Sequence, residues 1–197
     1  MHQDGRHVFS NWNDYSMTNA SSLVTGATAD DAPRLELLKS EFAVRFAAEH
    51  ATTMRVLRAV PDSGSNFRPH PRSASALELA ATLDREQTGI VSVLNRTWSM
   101  PPSFPTPAES WANALQRIEA GGAAVVAALR AIPATRLGDA VPFFTGPGTV
   151  APVAIREMLW FWLLDMIHHR GQLSVYVRMA GGRVPAIYGP SADETWS

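Results

Sequence analysis

The chain has 197 residues, of which 46% are hydrophobic and 18% charged, with 17 basic and 18 acidic side chains. This composition predicts one globular domain, and the lack of a basic excess argues against a nucleic-acid partner. Because the chain has no cysteine, disulfides, thiolate metal sites and a cysteine nucleophile are excluded.

The chain begins with a segment, residues 1–33, that has no sustained hydrophobic period and is rich in Asn, Asp, Ser and Thr. It is predicted to be a flexible, irregular N-terminal tail, since termini are ordered only when they dock. Residues 34–197 form the predicted domain. Its first helix runs from about Pro33 to Val60, where apolar residues recur at three- and four-residue steps. Glu49 lies on that apolar stripe.

The second helix is predicted to open at Ser75, with Glu78 three residues later at the spacing of a capping box. Thr82 and Glu86 are polar residues in line with its apolar stripe. The loop "WSMPPSFPTP" ends this helix, because proline cannot continue a helix interior.

The third helix is predicted to be capped by Thr106, with Pro107 at the first helical position. The pair Gly121-Gly122 in its middle predicts a kink or a close backbone approach, since each glycine costs about 1 kcal/mol relative to alanine in a helix interior. Residues 133–152 form a long connection with room for a short hairpin.

The fourth helix runs from about Val153 to Met179 and is predicted to stop at Gly181-Gly182. Asp165 and His169 interrupt its apolar stripe. Four amphipathic helices, no strand alternation of useful length and no internal repeat together predict an all-α protein with a four-helix bundle.

No segment predicts a membrane span. The most apolar run, "MLWFWLL", has seven residues, whereas about 20 are needed to cross a bilayer. The N-terminus lacks the apolar stretch of a signal peptide. We therefore expect a cytoplasmic protein.

The polar residues on the predicted buried faces are the candidates for chemistry. Asp165 and His169 are four residues apart, so both side chains lie on one helix face at a metal-chelating spacing. Bundles build such sites from facing helices, and Glu86 on the second helix is a further candidate ligand. The alternative is an ion pair that is satisfied within the core, with Glu86 and Glu49 in water at the edges of their stripes.

Two neighbours of His169 are predicted to have supporting roles. His168 lies one position off the stripe, because a helix turns about 100° per residue, and is interpreted as a hydrogen-bonding partner. Arg170 is interpreted as a bridge to a carboxylate or as the cap of a loop.

Two separated motifs resemble one family. "IHHRGQLSVYVRMAGGRVPAIYGPSADE", Ile167 to Glu194, resembles the C-terminal signature of the DinB-like superfamily. "FRPHPRS" followed by "LELAATLDRE" resembles the loop and second helix of the same family. The resemblance spans roughly residues 34–197. It implies an up-down-down-up four-helix bundle that is often a homodimer, in a family named for damage-induced expression and thus for stress response.

The resemblance also implies a divalent metal, often Ni²⁺ or Zn²⁺, held by one histidine on helix two and two histidines on helix four. His169 matches the second helix-four ligand. Asp165 stands where the family has the first, and Thr82 stands where it has the helix-two ligand. Threonine is a poor ligand, whereas aspartate binds such ions through oxygen. Glu86, one turn after Thr82, is therefore the expected substitute.

The resemblance implies two main functions. Some relatives are transferases or isomerases that use mycothiol, bacillithiol or glutathione, and a metal there would lower the pKa of the thiol. In that interpretation His169, Asp165 and Glu86 are ligands, supported by a second layer that comprises His168, Glu49 and Arg170. The alternative is a non-catalytic, dimeric stress-response protein with a degenerate metal site that binds a small ligand or nothing. A third interpretation places the function in the dimer surface or the tail.

Overall fold

The structure, a computed structural model, describes residues 31–195. The predicted N-terminal tail therefore lies, except for residues 31–33, outside the described residues. Four α-helices follow: α1 (Ala32–Ala59), α2 (Ala76–Leu94), α3 (Trp111–Ala131) and α4 (Ile155–Met179). All four helices predicted from the hydrophobic period are confirmed.

A two-stranded antiparallel sheet joins α3 to α4 and corrects the all-α prediction. Strand β1 (Ala140–Gly146) pairs with β2 (Thr149–Ala154), with Pro142 opposite Pro152. Proline cannot donate a ladder hydrogen bond and is tolerated at sheet edges, and both strands of a two-stranded sheet are edges. The sequence left room for a short hairpin in residues 133–152, but the prolines and the short length of the strands concealed their alternation. The fold is thus mostly helical with a small hairpin.

The four helices share one apolar core. α2 packs against α3 and α4, and α1 packs against the same two helices. Side chains that are at most 1% exposed come from every helix. Examples are Phe46, Leu83, Ile118 and Met158. This arrangement holds the inward faces of α2 and α4 against each other, where the polar interruptions of both stripes lie.

The helix ends follow capping chemistry, with one correction. The Ser75 hydroxyl accepts from the Glu78 N–H at 3.2 Å and Glu78 accepts from the Ser75 N–H at 2.8 Å, so the predicted capping box is present. The predicted start of the third helix at Thr106 was wrong. Ser110 caps it, its hydroxyl accepting from the Asn113 N–H at 3.2 Å. Prolines keep the segment before Ser110 out of the helix.

The glycine pair of α3 is a close approach, as predicted. A Cβ at Gly122 would lie 2.2 Å from His50 Nε2, and one at Gly121 would lie 2.3 Å from Gln87 Oε1. α3 can therefore pack this closely against α1 and α2 only because Gly121 and Gly122 have no side chains. At the other end of the chain, Gly181 has φ +83° just after α4, as expected of a helix-ending glycine.

In the described part of the chain, no helix combines the length and the hydropathy that a membrane crossing requires.

Candidate metal centre between α2 and α4

Glu86 of α2 meets Asp165 and His169 of α4 at the helix–helix contact. One potential ligand atom of each residue lies within 4.8 Å of the others. His169 Nε2 is 3.8 Å from Glu86 Oε1 and 3.5 Å from Asp165 Oδ2. Glu86 is only 6% exposed, so its alternative placement in water was wrong. The spacing-based expectation that Glu86 reaches the helix-four pair agrees with this geometry.

The cluster is short of hydrogen-bond donors. Both carboxylate oxygens of Glu86 and the Oδ2 of Asp165 are buried without a hydrogen-bond partner in the described part of the chain. A buried carboxylate oxygen without a donor is costly unless a proton or a cation compensates it. The interpretation as an ion pair satisfied within the core therefore requires a proton on this cluster to compensate these oxygens.

The three groups of the cluster differ in the direction in which their pKa values are shifted. Burial, together with the neighbouring Asp165 carboxyl, raises the pKa of Glu86 well above its ordinary value. Burial would also raise the pKa of Asp165, but the imidazole of His169, 3.5 Å from its Oδ2, and the Glu86 carboxyl bring it below the ordinary value. Burial lowers the pKa of His169, yet Asp165 outweighs it and leaves that pKa raised. Without a cation the cluster thus favours a protonated Glu86, an ionised Asp165 and an imidazolium.

Gln172 fixes the orientation of the imidazole, and sequence reasoning missed it. Its side-chain Oε1 lies 3.1 Å from His169 Nδ1. An amide oxygen only accepts, so Nδ1 carries a proton and Nε2 faces the two carboxylates. The same amide reaches His168 Nε2 through its nitrogen at 3.0 Å. The sequence signal that could have identified Gln172 is its position three residues after His169, about one helical turn away.

Thr82 lies outside the cluster of ligand atoms. Its hydroxyl donates to the Glu78 carbonyl at 3.2 Å and accepts from Arg85 Nη2 at 2.7 Å. Both hydroxyl functions are therefore engaged within α2. Thr82, which stands where the resemblance implies a helix-two ligand, thus holds Arg85 by a hydrogen bond instead.

The three residues predicted to support the ligands divide into two groups. His168 is exposed, bonds Gln172, and its ring centroid lies 5.3 Å from that of His169. Glu49 and Arg170 instead pair with each other, Arg170 Nη1 donating to Glu49 Oε2 at 2.6 Å. Of the two roles predicted for Arg170, the bridge to a carboxylate is thus present. A role for that pair beside the cluster stays a prediction.

Comparisons with known proteins agree with this fold. The sequence matches the DinB family over residues 36–196. The crystal structure of a DinB-like protein from Bacillus cereus ATCC 10987 has a TM-score of 0.61 at 21% identity, covering 75% of this chain and 95% of that chain. For a DinB-like protein (YjoA) from Bacillus subtilis the TM-score is 0.58 at 20% identity, with 72% and 92% covered. At these identities the likeness shows the fold alone.

A curated relative matches a short segment. The uncharacterized protein YrdA of Bacillus subtilis (strain 168) is 49% identical over 38 residues, which are 19% of this chain. The chain thus covers only 23% of the length of that protein. The match of the family over most of the chain decides the assignment: this chain belongs to the DinB family.

Proposed function

We propose that the protein binds one divalent transition-metal ion, Ni²⁺ or Zn²⁺, through Glu86, Asp165 and His169. The observation that carries the proposal is the set of three buried carboxylate oxygens that lack a donor, beside an imidazole Nε2 held toward them by Gln172. A divalent cation would compensate both carboxylates at once.

The spacing of the donor atoms fits such an ion. Zn²⁺ takes carboxylate oxygen and imidazole nitrogen at about 2.1 Å, and tetrahedral donors at that distance are separated by about 3.4 Å. His169 Nε2 lies 3.5 Å from Asp165 Oδ2 and 3.8 Å from Glu86 Oε1. One potential ligand atom of each residue lies within 4.8 Å of the others, so each pair would have to close by at most about 1.4 Å to reach one ion.

The exposure of the ligands favours an open coordination position. The side chains of Asp165 and His169 are 20% and 17% exposed, whereas that of Glu86 is 6% exposed. Glu86 would therefore hold the ion from the interior, and the α4 side would admit an outside ligand. Three protein ligands with an accessible fourth position are typical of catalytic rather than structural sites.

The reaction class that this site supports best is a metal-dependent transfer or isomerisation that uses an external low-molecular-weight thiol, such as mycothiol, bacillithiol or glutathione. When bound, the metal would lower the pKa of the thiol and stabilise the thiolate nucleophile. The chain has no cysteine, so a thiol nucleophile has to come from outside it. Gln172 would keep Nε2 of His169 available to the ion, a second-layer contact that such sites use.

One observation favours a second candidate, a non-catalytic DinB-like protein that binds a small ligand or acts as a dimeric stress-response protein. A proton on Glu86 and an imidazolium at His169 would balance Asp165 without any cation, in line with the pKa directions of the three groups. For either candidate we expect the up-down-down-up bundle, a cytoplasmic location and a homodimer.

Elemental analysis of protein purified without an affinity tag tests the proposal. We expect close to one Ni²⁺ or Zn²⁺ per chain in the wild type and its loss in His169→Ala. His70→Ala is the matched control, since His70 is an exposed loop residue. Metal at a hundred times its Kd should stabilise the native state by about 2.7 kcal/mol. A metal-free wild type whose melting ignores chelator, Ni²⁺ and Zn²⁺ would favour the second candidate.

A further inference from the structure

Arg85 is the half-buried cation of this site. Within residues 31–195 its guanidinium forms no ion pair within 4 Å, and its hydrogen bond is to a neutral partner, the Thr82 hydroxyl. The carboxylates of Glu86 and Asp84 act on it electrostatically without touching it. Several other arginines of that range also lack a carboxylate within 4 Å, but all of them are exposed. They are Arg34, Arg72, Arg96, Arg130 and Arg183. Arg85 therefore combines partial burial with the lack of a carboxylate in direct contact.

The Thr82 contact directs the guanidinium along the ligand-bearing face of α2. Thr82 and Glu86 are four residues apart and thus lie one above the other on one face of the helix. By reaching back to Thr82 Oγ1 at 2.7 Å, Arg85 places its charge on that face. The hydroxyl is itself fixed, because it donates to the Glu78 carbonyl at 3.2 Å.

The charge count indicates what is missing at this position. The charges of two carboxylates and a divalent ion sum to zero. Arg85 would therefore give the metal-loaded site a net charge of one positive unit. A guanidinium has several N–H donors in a planar fork that matches carboxylate and phosphate oxygens. The Thr82 hydroxyl occupies one of these donors, and a partly buried cation is costly without a partner.

We propose that Arg85 is the anion-binding residue of this site, and that the outside ligand carries an oxyanion, a carboxylate or a phosphate, beside the atom that binds the metal. This assignment rests on the proposed metal centre and adds the substrate class to it. Thr82 would act as the residue that positions Arg85.

A pair of small thiols tests the assignment on protein loaded with Co²⁺, whose thiolate complexes absorb light. Mercaptoacetate has a carboxylate beside its sulfur, whereas 2-mercaptoethanol has a neutral hydroxyl. We expect the wild type to bind mercaptoacetate roughly tenfold or more tightly than 2-mercaptoethanol, the range of a hydrogen bond between charged groups. Arg85→Met should bring that ratio close to one while Co²⁺ remains bound, and Arg85→Lys should keep part of it. Arg72→Met, which removes an exposed arginine, should leave the ratio unchanged.

Competition experiments separate the two sources of the oxyanion. Acetate and inorganic phosphate are titrated against bound mercaptoacetate in the wild type and in Arg85→Met. The anion that competes at the lower concentration in the wild type, and loses its advantage in the variant, identifies the class. Equal binding of both thiols by the wild type, or a preference that survives in Arg85→Met, would overturn the role of Arg85 alone. Failure of the wild type to bind Co²⁺ would overturn the metal centre and this assignment with it.

Discussion

Arg170 of α4 and Glu49 of α1 form an ion pair in the core, with Arg170 Nη1 2.6 Å from Glu49 Oε2. Arg170 is 1% exposed and Glu49 5%. The Tyr188 hydroxyl donates to the same carboxylate oxygen at 2.7 Å and accepts from Arg170 Nη2 at 2.5 Å. This triad ties the segment after α4 to two helices.

Removal of one member of that pair should be strongly destabilising. Glu49→Gln leaves a buried guanidinium without a counter-ion, for which we expect a loss of about 3–5 kcal/mol in the free energy of unfolding. Arg170→Met should cost a similar amount. The double variant should lose clearly less than the sum, because neither charge is then left alone. Tyr188→Phe, which removes one hydroxyl, should cost about 1 kcal/mol. Urea unfolding measures all four, and additive losses would contradict the coupling.

The sequence predicted elements with a strong local signal and missed those with a long-range origin. The Ser75 capping box and the stripe of α4 depend on residues within a few positions of each other, so both were readable. The Glu49–Arg170 pair joins residues that are 121 positions apart, and no local period encodes a partner at that distance. The long connection after α3 was predicted to have room for a short hairpin, but its two strands could not be assigned, since their prolines contradict local strand propensity.

The residues of the candidate site were likewise predictable only where the sequence signal is local. The four-residue spacing of Asp165 and His169 fixed two ligand candidates, and spacing from Thr82 suggested Glu86. Gln172 was missed because a glutamine on a helix surface is common, and only the structure orients its amide toward His169. Likewise, the sequence does not show that Arg85 turns back toward Thr82, since an arginine side chain reaches in many directions.

Metal affinity should rise with pH. In the metal-free protein, burial raises the pKa of Glu86, and Asp165 raises that of His169 against the effect of burial. A cation must displace both protons, so affinity should increase by up to roughly hundredfold per pH unit while both groups are protonated. Calorimetric titration of Zn²⁺ in two buffers with different ionisation enthalpies counts the protons released. Binding without proton release would contradict the charge assignment.

Gln172 should tune the affinity for metal without supporting the fold. Gln172→Met removes the acceptor of His169 Nδ1–H, and loss of such a contact lowers metal affinity by roughly 10–100-fold. Because Gln172 lies at the edge of the core, the free energy of unfolding of the metal-free protein should change by less than about 1 kcal/mol. Gln116→Met, at an exposed position of α3, is the control. Equal Zn²⁺ affinities in Gln172→Met and the wild type would show that Nε2 needs no such support.

A homodimer is expected to use the outer faces of α1 and α4. Six large apolar residues of these two helices are exposed, and the helices are neighbours, with Phe42 of α1 packed edge-to-face on Trp160 of α4. They are Leu37, Val44, Trp160, Leu164, Val175 and Met179. Leu164 is 61% exposed, and a charge there would have to be buried in a dimer. Leu164→Glu should therefore shift the wild-type dimer to monomer in light scattering, while Glu157→Gln should not. A monomeric wild type would contradict this expectation.

The stability of the metal-free protein should fall as pH rises, because of Glu86. Burial places the folded pKa of this carboxyl above its unfolded value. The folded state therefore retains a proton that the unfolded chain releases, so stability is highest below the unfolded pKa, near about 4.3, and declines toward the folded pKa. Glu86→Gln keeps the shape without ionising and should be more stable than the wild type at alkaline pH in chelator, by about 1–3 kcal/mol. Urea unfolding at several pH values measures this difference.

Added Zn²⁺ should reverse that order. It would stabilise the wild type by binding only its native state, whereas Glu86→Gln lacks one carboxylate ligand and should gain little. Glu78→Gln is a poor control because Glu78 belongs to the capping box, so Glu109→Gln, at an exposed position, is used instead. If Glu86→Gln destabilises the protein at every pH and responds to Zn²⁺ as the wild type does, the buried carboxyl serves packing alone. If instead Zn²⁺ raises the free energy of unfolding of the wild type at alkaline pH, where its metal-free form is least stable, then binding of the ion accounts for the free energy that burial of the Glu86 carboxylate costs.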